Sequence, residues 1–161
     1  DSIKLDKSIE YTTANGRKVY GGGGIMPDIF FFYVTSGITK YYYAVANAGL
    51  FQKFAFNYCD RNRKSLEVCK TTKEVLNKLP NDDALLFEFV EFAKKNKIPA
   101  QWYYINTSRQ LILTIIKSLI ARDIIGSHAY YEVYNTYDTN IKTAIKHISK
   151  GDSKFPIKYG K

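Results

Sequence analysis

A chain of 161 residues with 45% hydrophobic side chains fits one folded unit with a modest core and excludes a disordered chain. Two cysteines exclude a dense disulfide scaffold and a four-cysteine zinc site, and no apolar run approaches the ~18–20 residues that span a bilayer. The net charge of +9 belongs entirely to residues 38–161, because residues 1–37 carry four basic and four acidic side chains. Such a surface suits nucleic acid, an anionic membrane or an acidic protein; the plainer reading, taken here, is a lysine-rich solvated face.

The first third of the chain reads as strand. Ile9, Tyr11 and Thr13 alternate with polar neighbours, Asn15-Gly16 tolerates positive φ, and Lys18-Val19-Tyr20 returns the chain. The pattern predicts a β-hairpin turning across Ala14–Arg17. After the run Gly21 to Gly24, residues 29–34 are continuously apolar and aromatic, the composition of a strand covered on both faces. No signal peptide is evident, and a first residue Asp1 rather than Met suggests a piece of a longer protein.

From Ile38 the period becomes helical. Tyr41, Tyr42, Val45, Ala48, Phe51, Phe54, Ala55 and Tyr58 share a face, and Gly49 is a candidate break. Residues 60–70 are polar and basic and predict a loop. Thr72–Leu79 predicts a short helix ended by Pro80, after which Asn81 caps the next one and Asp82 and Asp83 suit its positive end. The stripe of that helix is Leu85, Leu86, Phe89, Phe92 and Ala93, with Lys94, Lys95 and Lys97 at its end and Pro99 beyond. Asn106 or Ser108 is the expected cap of another helix, whose buried stripe is Leu111, Ile112, Ile115, Ile116, Leu119 and Ile120. A last helix is expected over Ser127–Ser149, with Tyr130, Tyr131, Tyr134, Ile141, Ala144, Ile145 and Ile148 inward and Gly151 as its stop. The expected fold class is α+β, mainly α: a short β element in 1–37, four or five packed helices in 38–150 and a tail in 151–161.

Complete catalytic sets are missing. The glycine run lacks the lysine and hydroxyl of a phosphate-binding loop, and Pro27-Asp28 follows it where a dinucleotide fold needs a helix. Ser36 and Lys40 have the spacing of a Ser–Lys pair, but Ser36-Gly37 reads more simply as a loop ahead of a helix. His128 and His147 stand nineteen apart, too far for one metal site on one helix. Asp82-Asp83 and Glu88 with Glu91 read as a helix start and a solvated face rather than an acid pair. Lys142, Lys146, Lys150, Lys154 and Lys158 recur every four residues as a candidate phosphate rail, interrupted by glycine and proline. For Cys59 and Cys69, two separate thiols, at least one packed as a small hydrophobe, is preferred over a single disulfide.

The stretch "YTTANGRKVYGGGGIMPDIFF" resembles a signature of the C-terminal processing peptidases, the tail-specific serine proteases. The matching residues are Thr13, Gly16, Arg17, Gly21, Gly22, Gly23, Gly24, Ile25, Pro27 and Asp28. "AGLFQKFAFNYCDRNR" and "GSHAYYEVYNTYDTNIKTAI" are similar to segments that follow the core in one bacterial branch of the family. The resemblance implies a Ser–Lys dyad that cuts proteins from their C-terminal side in the bacterial envelope, in the periplasm, often behind a PDZ domain. In the family the dyad lies upstream of the Thr-x-x-Gly-Arg turn, so no residue here inherits a catalytic role. Residues 1–37 are then expected to be the last strands of the peptidase core, and the helices a non-catalytic accessory domain with a scaffold, access or assembly role. The implied partners are the rest of the parent peptidase, protein substrates reached through it, and a second copy through open strand edges. No cofactor, metal or nucleic acid is expected. The competing reading is a free-standing basic helical module that binds an acidic protein or nucleic acid.

Overall fold

The computed structural model describes residues 10–14, 16, 18–20 and 37–149. They fall into two units, one within Asp1–Tyr33 and one within Val34–Lys161. The chain is mainly helical with a small antiparallel hairpin, the expected class.

The hairpin pairs β1 (Glu10–Thr12) with β2 (Lys18–Tyr20), in the register Glu10↔Tyr20, Tyr11↔Val19 and Thr12↔Lys18. The turn lies where Asn15-Gly16 predicts it. The Gly16 amide donates to the Thr13 carbonyl at 2.8 Å, and Gly16 takes φ +78°, a conformation that glycine adopts without Cβ strain. A Lys18–Glu10 ion pair of 2.7 Å crosses the strands. All three residues of β1 are exposed. The expected strand at 29–34, along with Arg17, Gly21 to Gly24, Ile25, Pro27 and Asp28, lies outside the described residues.

The helical unit contains α1 (Lys40–Asn47), α2 (Leu50–Arg61), α3 (Arg63–Leu66), α4 (Thr72–Lys78), α5 (Asp82–Lys95), α6 (Trp102–Ile125), α7 (Ser127–Tyr134) and α8 (Thr139–Ser149). Local signals set most of the boundaries. Gly49, at φ +64°, separates α1 from α2. Leu79 is extended before Pro80 and ends α4. The Asn81 side chain accepts from the Ala84 amide at 2.9 Å, with Asp82 and Asp83 in the first turn of α5.

The axis of the unit is α6. Leu111 to Thr114 and Ser118 to Ala121 are buried without interruption, which places the helix among neighbours on most sides rather than against one face. α1, α2, α4, α5 and α7 all pack on it. One of its buried hydroxyls is satisfied within the helix: Ser118 donates to the Thr114 carbonyl at 2.7 Å. Between α2 and α5 lies an aromatic cluster. The Phe89 ring stacks on Phe51 at 5.2 Å and meets Phe54 edge-on at 5.3 Å, and Phe54 meets Phe92 at 5.5 Å. A smaller cluster of Ala121, Ala129 and Val133 seats α7, with Leu76 and Ile125 against it.

Several expectations are corrected. Residues 60–70 are largely helical, because Leu66 is buried as an anchor and Asn62 and Ser65 bond to the backbone of the preceding turn. Neither Asn106 nor Ser108 caps α6, which begins at Trp102; Ser108 is fully buried, its hydroxyl 2.7 Å from that of Thr39. Ala48 is exposed on the carboxyl end of α1. The expected last helix is two helices. Residues 135–138 break it, and the Asp138 carboxylate accepts from the amides of Asn140 and Ile141, which starts α8 afresh. Tyr131, Ala144, Ile145 and Ile148 point outward rather than inward. Gly151 lies outside the described residues.

Among the described residues, Tyr41 is the one buried side chain with an unsatisfied polar atom. It is 2% exposed, and its hydroxyl has no hydrogen-bond partner. Tyr41→Phe is expected to raise stability at neutral pH by about 1 kcal/mol, since an orphaned buried hydroxyl costs at least that. A thermal melt checks this; an unchanged or lowered midpoint would show that the hydroxyl is satisfied.

Candidate functional site

Among the described residues, a depression lies between α2 and α5. It is a cleft of about 340 Å³ whose floor is Phe54 and Phe92 and whose rims carry Asn57, Arg61, Glu88 and Glu91. The two helices run antiparallel, since Arg61 meets Glu88 while Phe54 meets Phe92. A shallower groove of about 510 Å³ continues from it past Asn57 and Phe92 to Phe56, which is 64% exposed. Sequence reading missed this site. Its signal is Asn57 and Arg61 at one-turn spacing along the edge of the α2 stripe beside Phe54, with Glu88 and Glu91 three apart on α5.

Four of the cleft's charged side chains, Asp60, Arg61, Glu88 and Glu91, are in ion pairs. The Arg61 guanidinium binds the Glu88 carboxylate at 2.6 Å and lies 6.0 Å from the Tyr58 ring centre. Glu91 accepts from Lys94 at 2.8 Å, and Asp60 from Arg63 at 2.9 Å. No serine, cysteine or histidine lines it. Its size suits a small ligand or a peptide side chain. Its aromatic floor and charged rim offer packing and ion-pair contacts to such a ligand.

The other candidate residues are dispersed. Lys40 is exposed at the first turn of α1, and Ser36 lies outside the described residues. His128 is exposed at the start of α7, and His147 is half-buried on α8. No cluster of three metal-binding side chains occurs among the described residues. Asp82 and Asp83 hold α5 to α6 through Lys117 and Arg109. Glu88 and Glu91, paired with different bases, do not form an acid couple. Of the lysine rail, Lys142 and Lys146 are exposed on α8, while Lys150, Lys154 and Lys158 lie outside the described residues. From the glycine-rich signature, the structure brings Thr13 and Gly16 together in the hairpin turn.

Both cysteines are free. Cys69 is buried and Cys59 half-buried, with its thiol 3.9 Å from the Ile120 carbonyl. Burial, helped by the charge of Asp123, pushes the Cys59 thiol from 9.0 up to about 11, so it is a poor nucleophile at neutral pH. Burial likewise pushes the Tyr41 hydroxyl from 10.0 up to about 12. In both cases the folded state resists ionisation that the unfolded chain accepts. Stability tied to Cys59 is therefore intact below pH 9 and lost toward pH 11, and that tied to Tyr41 is lost between pH 10 and 12. Melting temperature is expected to fall across this window, and Tyr41→Phe to flatten its upper part; an unchanged alkaline profile in that variant overturns the assignment.

The profile of a family of unknown function (DUF8443) matches residues 41–126, the stretch from α1 to the glycine that follows α6. No curated protein and no solved structure matches the chain. The matched stretch contains the aromatic cluster, the central helix and the α2–α5 cleft and covers more than half of the sequence: the chain belongs to that family of unknown function.

Proposed function

We propose that this chain is the non-catalytic C-terminal region of a bacterial envelope serine peptidase of the C-terminal processing type. The observation that carries the reading is the Thr13–Gly16 turn. The Thr-x-x-Gly-Arg signature asks for a tight reversal in which glycine takes positive φ, and here Gly16 does so at φ +78° while bonding Thr13. The exposure of the whole of β1 is further support, because a two-stranded hairpin is marginal alone and suits a place beside further strands. The helical unit then serves as scaffold, access element or assembly surface. Its partners are the core sheet of the parent, a PDZ domain where the parent has one, and protein substrates reached through the parent, in the periplasm.

In the helical unit the Ser118 hydroxyl and the Cys59 and Cys69 thiols are engaged by backbone carbonyls and the Ser108 hydroxyl by Thr39, which fits a non-catalytic role. This chain is expected to leave an unstructured protein substrate uncut, in both the wild type and Ser36→Ala. Cleavage lost in Ser36→Ala would establish a self-sufficient Ser–Lys hydrolase instead. The reading requires a serine and a lysine in the family pattern upstream in the parent reading frame. A frame without them overturns it.

A further inference from the structure

α8 is turned the wrong way round for a helix of a closed core. Ile141, Ala144, Ile145 and Ile148 have the spacing of one apolar stripe, about 100° wide. Ala144, Ile145 and Ile148 are nonetheless exposed, the two isoleucines at 57% and 75%, and no residue of α8 is buried. Its half-buried positions are Ile141, at one end of the stripe, and Asn140, Thr143 and His147 from the polar side. The helix thus offers most of its apolar stripe, Ala144, Ile145 and Ile148, to solvent, while three of its four half-buried positions are polar. Beside the Ile145 edge of the stripe stand Lys142 and Lys146, both exposed. Thr139–Ser149 contains no acidic residue, and Asp138 just ahead is engaged in capping. The sequence continues with Lys150, Lys154, Lys158 and Lys161, interleaved with Phe155, Ile157 and Tyr159, against the single acid Asp152.

We propose that α8 is an interfacial helix that docks this chain on the surface of an anionic phospholipid bilayer. The isoleucine stripe enters the boundary between headgroups and acyl chains, while Lys142 and Lys146 extend sideways to lipid phosphates. Eleven residues of helix reach about 16 Å, half the ~30 Å core of a bilayer, so α8 lies in the plane of the surface. No described helix is long and apolar enough to cross. Charge decides against the other occupants. Two α8 stripes packed on each other bring four lysines together with no acid on the helix to neutralise them. A nucleic-acid backbone takes up the lysines but leaves the isoleucines in water. A lipid surface covers both. This inference is independent of the peptidase reading, and either stands if the other fails.

The test is flotation of the full chain with vesicles. Phosphatidylcholine vesicles containing one third phosphatidylglycerol are expected to bind at least about tenfold more tightly than phosphatidylcholine alone, with the gap closing at high salt. Ile145→Ser with Ile148→Ser is expected to weaken binding about tenfold, and Lys142→Gln with Lys146→Gln comparably. All four positions are exposed, so both double variants are expected to melt as the wild type does. The proposal is overturned by wild-type protein that ignores anionic vesicles or by an isoleucine variant that binds undiminished. A solution dimer abolished by the isoleucine pair, or tighter binding to duplex DNA than to vesicles, overturns it equally.

Discussion

Phe89→Ala is expected to lower the unfolding free energy by about 3–5 kcal/mol, the largest loss from any single truncation proposed here. Phe89 is fully buried, stacked on Phe51 with ring planes 2° from parallel and set edge-on to Phe54 at 85°. Removing the ring forfeits its burial, leaves a cavity between α2 and α5, and breaks two aromatic pairs worth about 0.5–1.5 kcal/mol each. A domain of this size holds only about 5–15 kcal/mol in total, so the variant is expected to be partly unfolded near 37 °C. Phe87→Ala is the internal control: two residues away on the same helix but 55% exposed, it should change stability by no more than about 0.5 kcal/mol. Denaturant titration of both variants decides the matter. A Phe89→Ala loss below about 1.5 kcal/mol would mean that the cluster is not the keystone of the α2–α5 contact. Because this contact forms the floor of the cleft, the same variant should disturb any ligand bound there.

Thr39→Val is the second large effect, expected to cost about 2 kcal/mol. One hydroxyl serves three neighbours. It accepts from the Tyr42 amide at 3.3 Å and so caps α1, lies 2.7 Å from the Ser108 hydroxyl, and reaches the Tyr104 carbonyl at 3.4 Å. Valine keeps the shape and removes the oxygen. Losing the cap alone costs about 1 kcal/mol. The remainder comes from Ser108, fully buried in α6 and left to fall back on a carbonyl of its own helix. Ser108→Ala by itself should cost about 1 kcal/mol. The double variant is expected to lose less than the sum by about 1 kcal/mol, because each single change already breaks the shared bond. Strict additivity would show that the two hydroxyls do not act as a unit. The bond matters to the architecture, since it ties the start of α1 to the second turn of the central helix.

Ser108 also shows where sequence reading stops. A serine ahead of an apolar run is a sound cap signal, and Asn81 obeys the same rule correctly. What separates them is that the Ser108 hydroxyl meets Thr39, sixty-nine residues away in the chain. The stretch 60–70 fails for the same reason: its polarity argued for a loop, but one buried leucine, Leu66, holds a helical turn in place. The cleft was only half legible. The paired spacing of Asn57 with Arg61 and of Glu88 with Glu91 can be read from the chain, whereas their meeting across an antiparallel helix pair cannot. The hairpin turn, in contrast, was fully legible, because Asn15-Gly16 names its own conformation.

The sequence by itself determined the elements and their class: the hairpin, the glycine break at Gly49, the stop at Pro80, the cap at Asn81 and the apolar stripes of α2, α5 and α6. These depend on backbone φ, on capping bonds and on periodicity, all of which act within a few residues. Only the tertiary structure decided that α6 is enclosed on most sides, that Ser108 is a buried tether, and that Ile145 and Ile148 of α8 face outward. An apolar stripe records that a helix has something to cover, but not whether the cover comes from its own chain. For α2, α5 and α6 the neighbours supply it; for α8 no residue is buried, and Ile145 and Ile148 stay exposed to solvent.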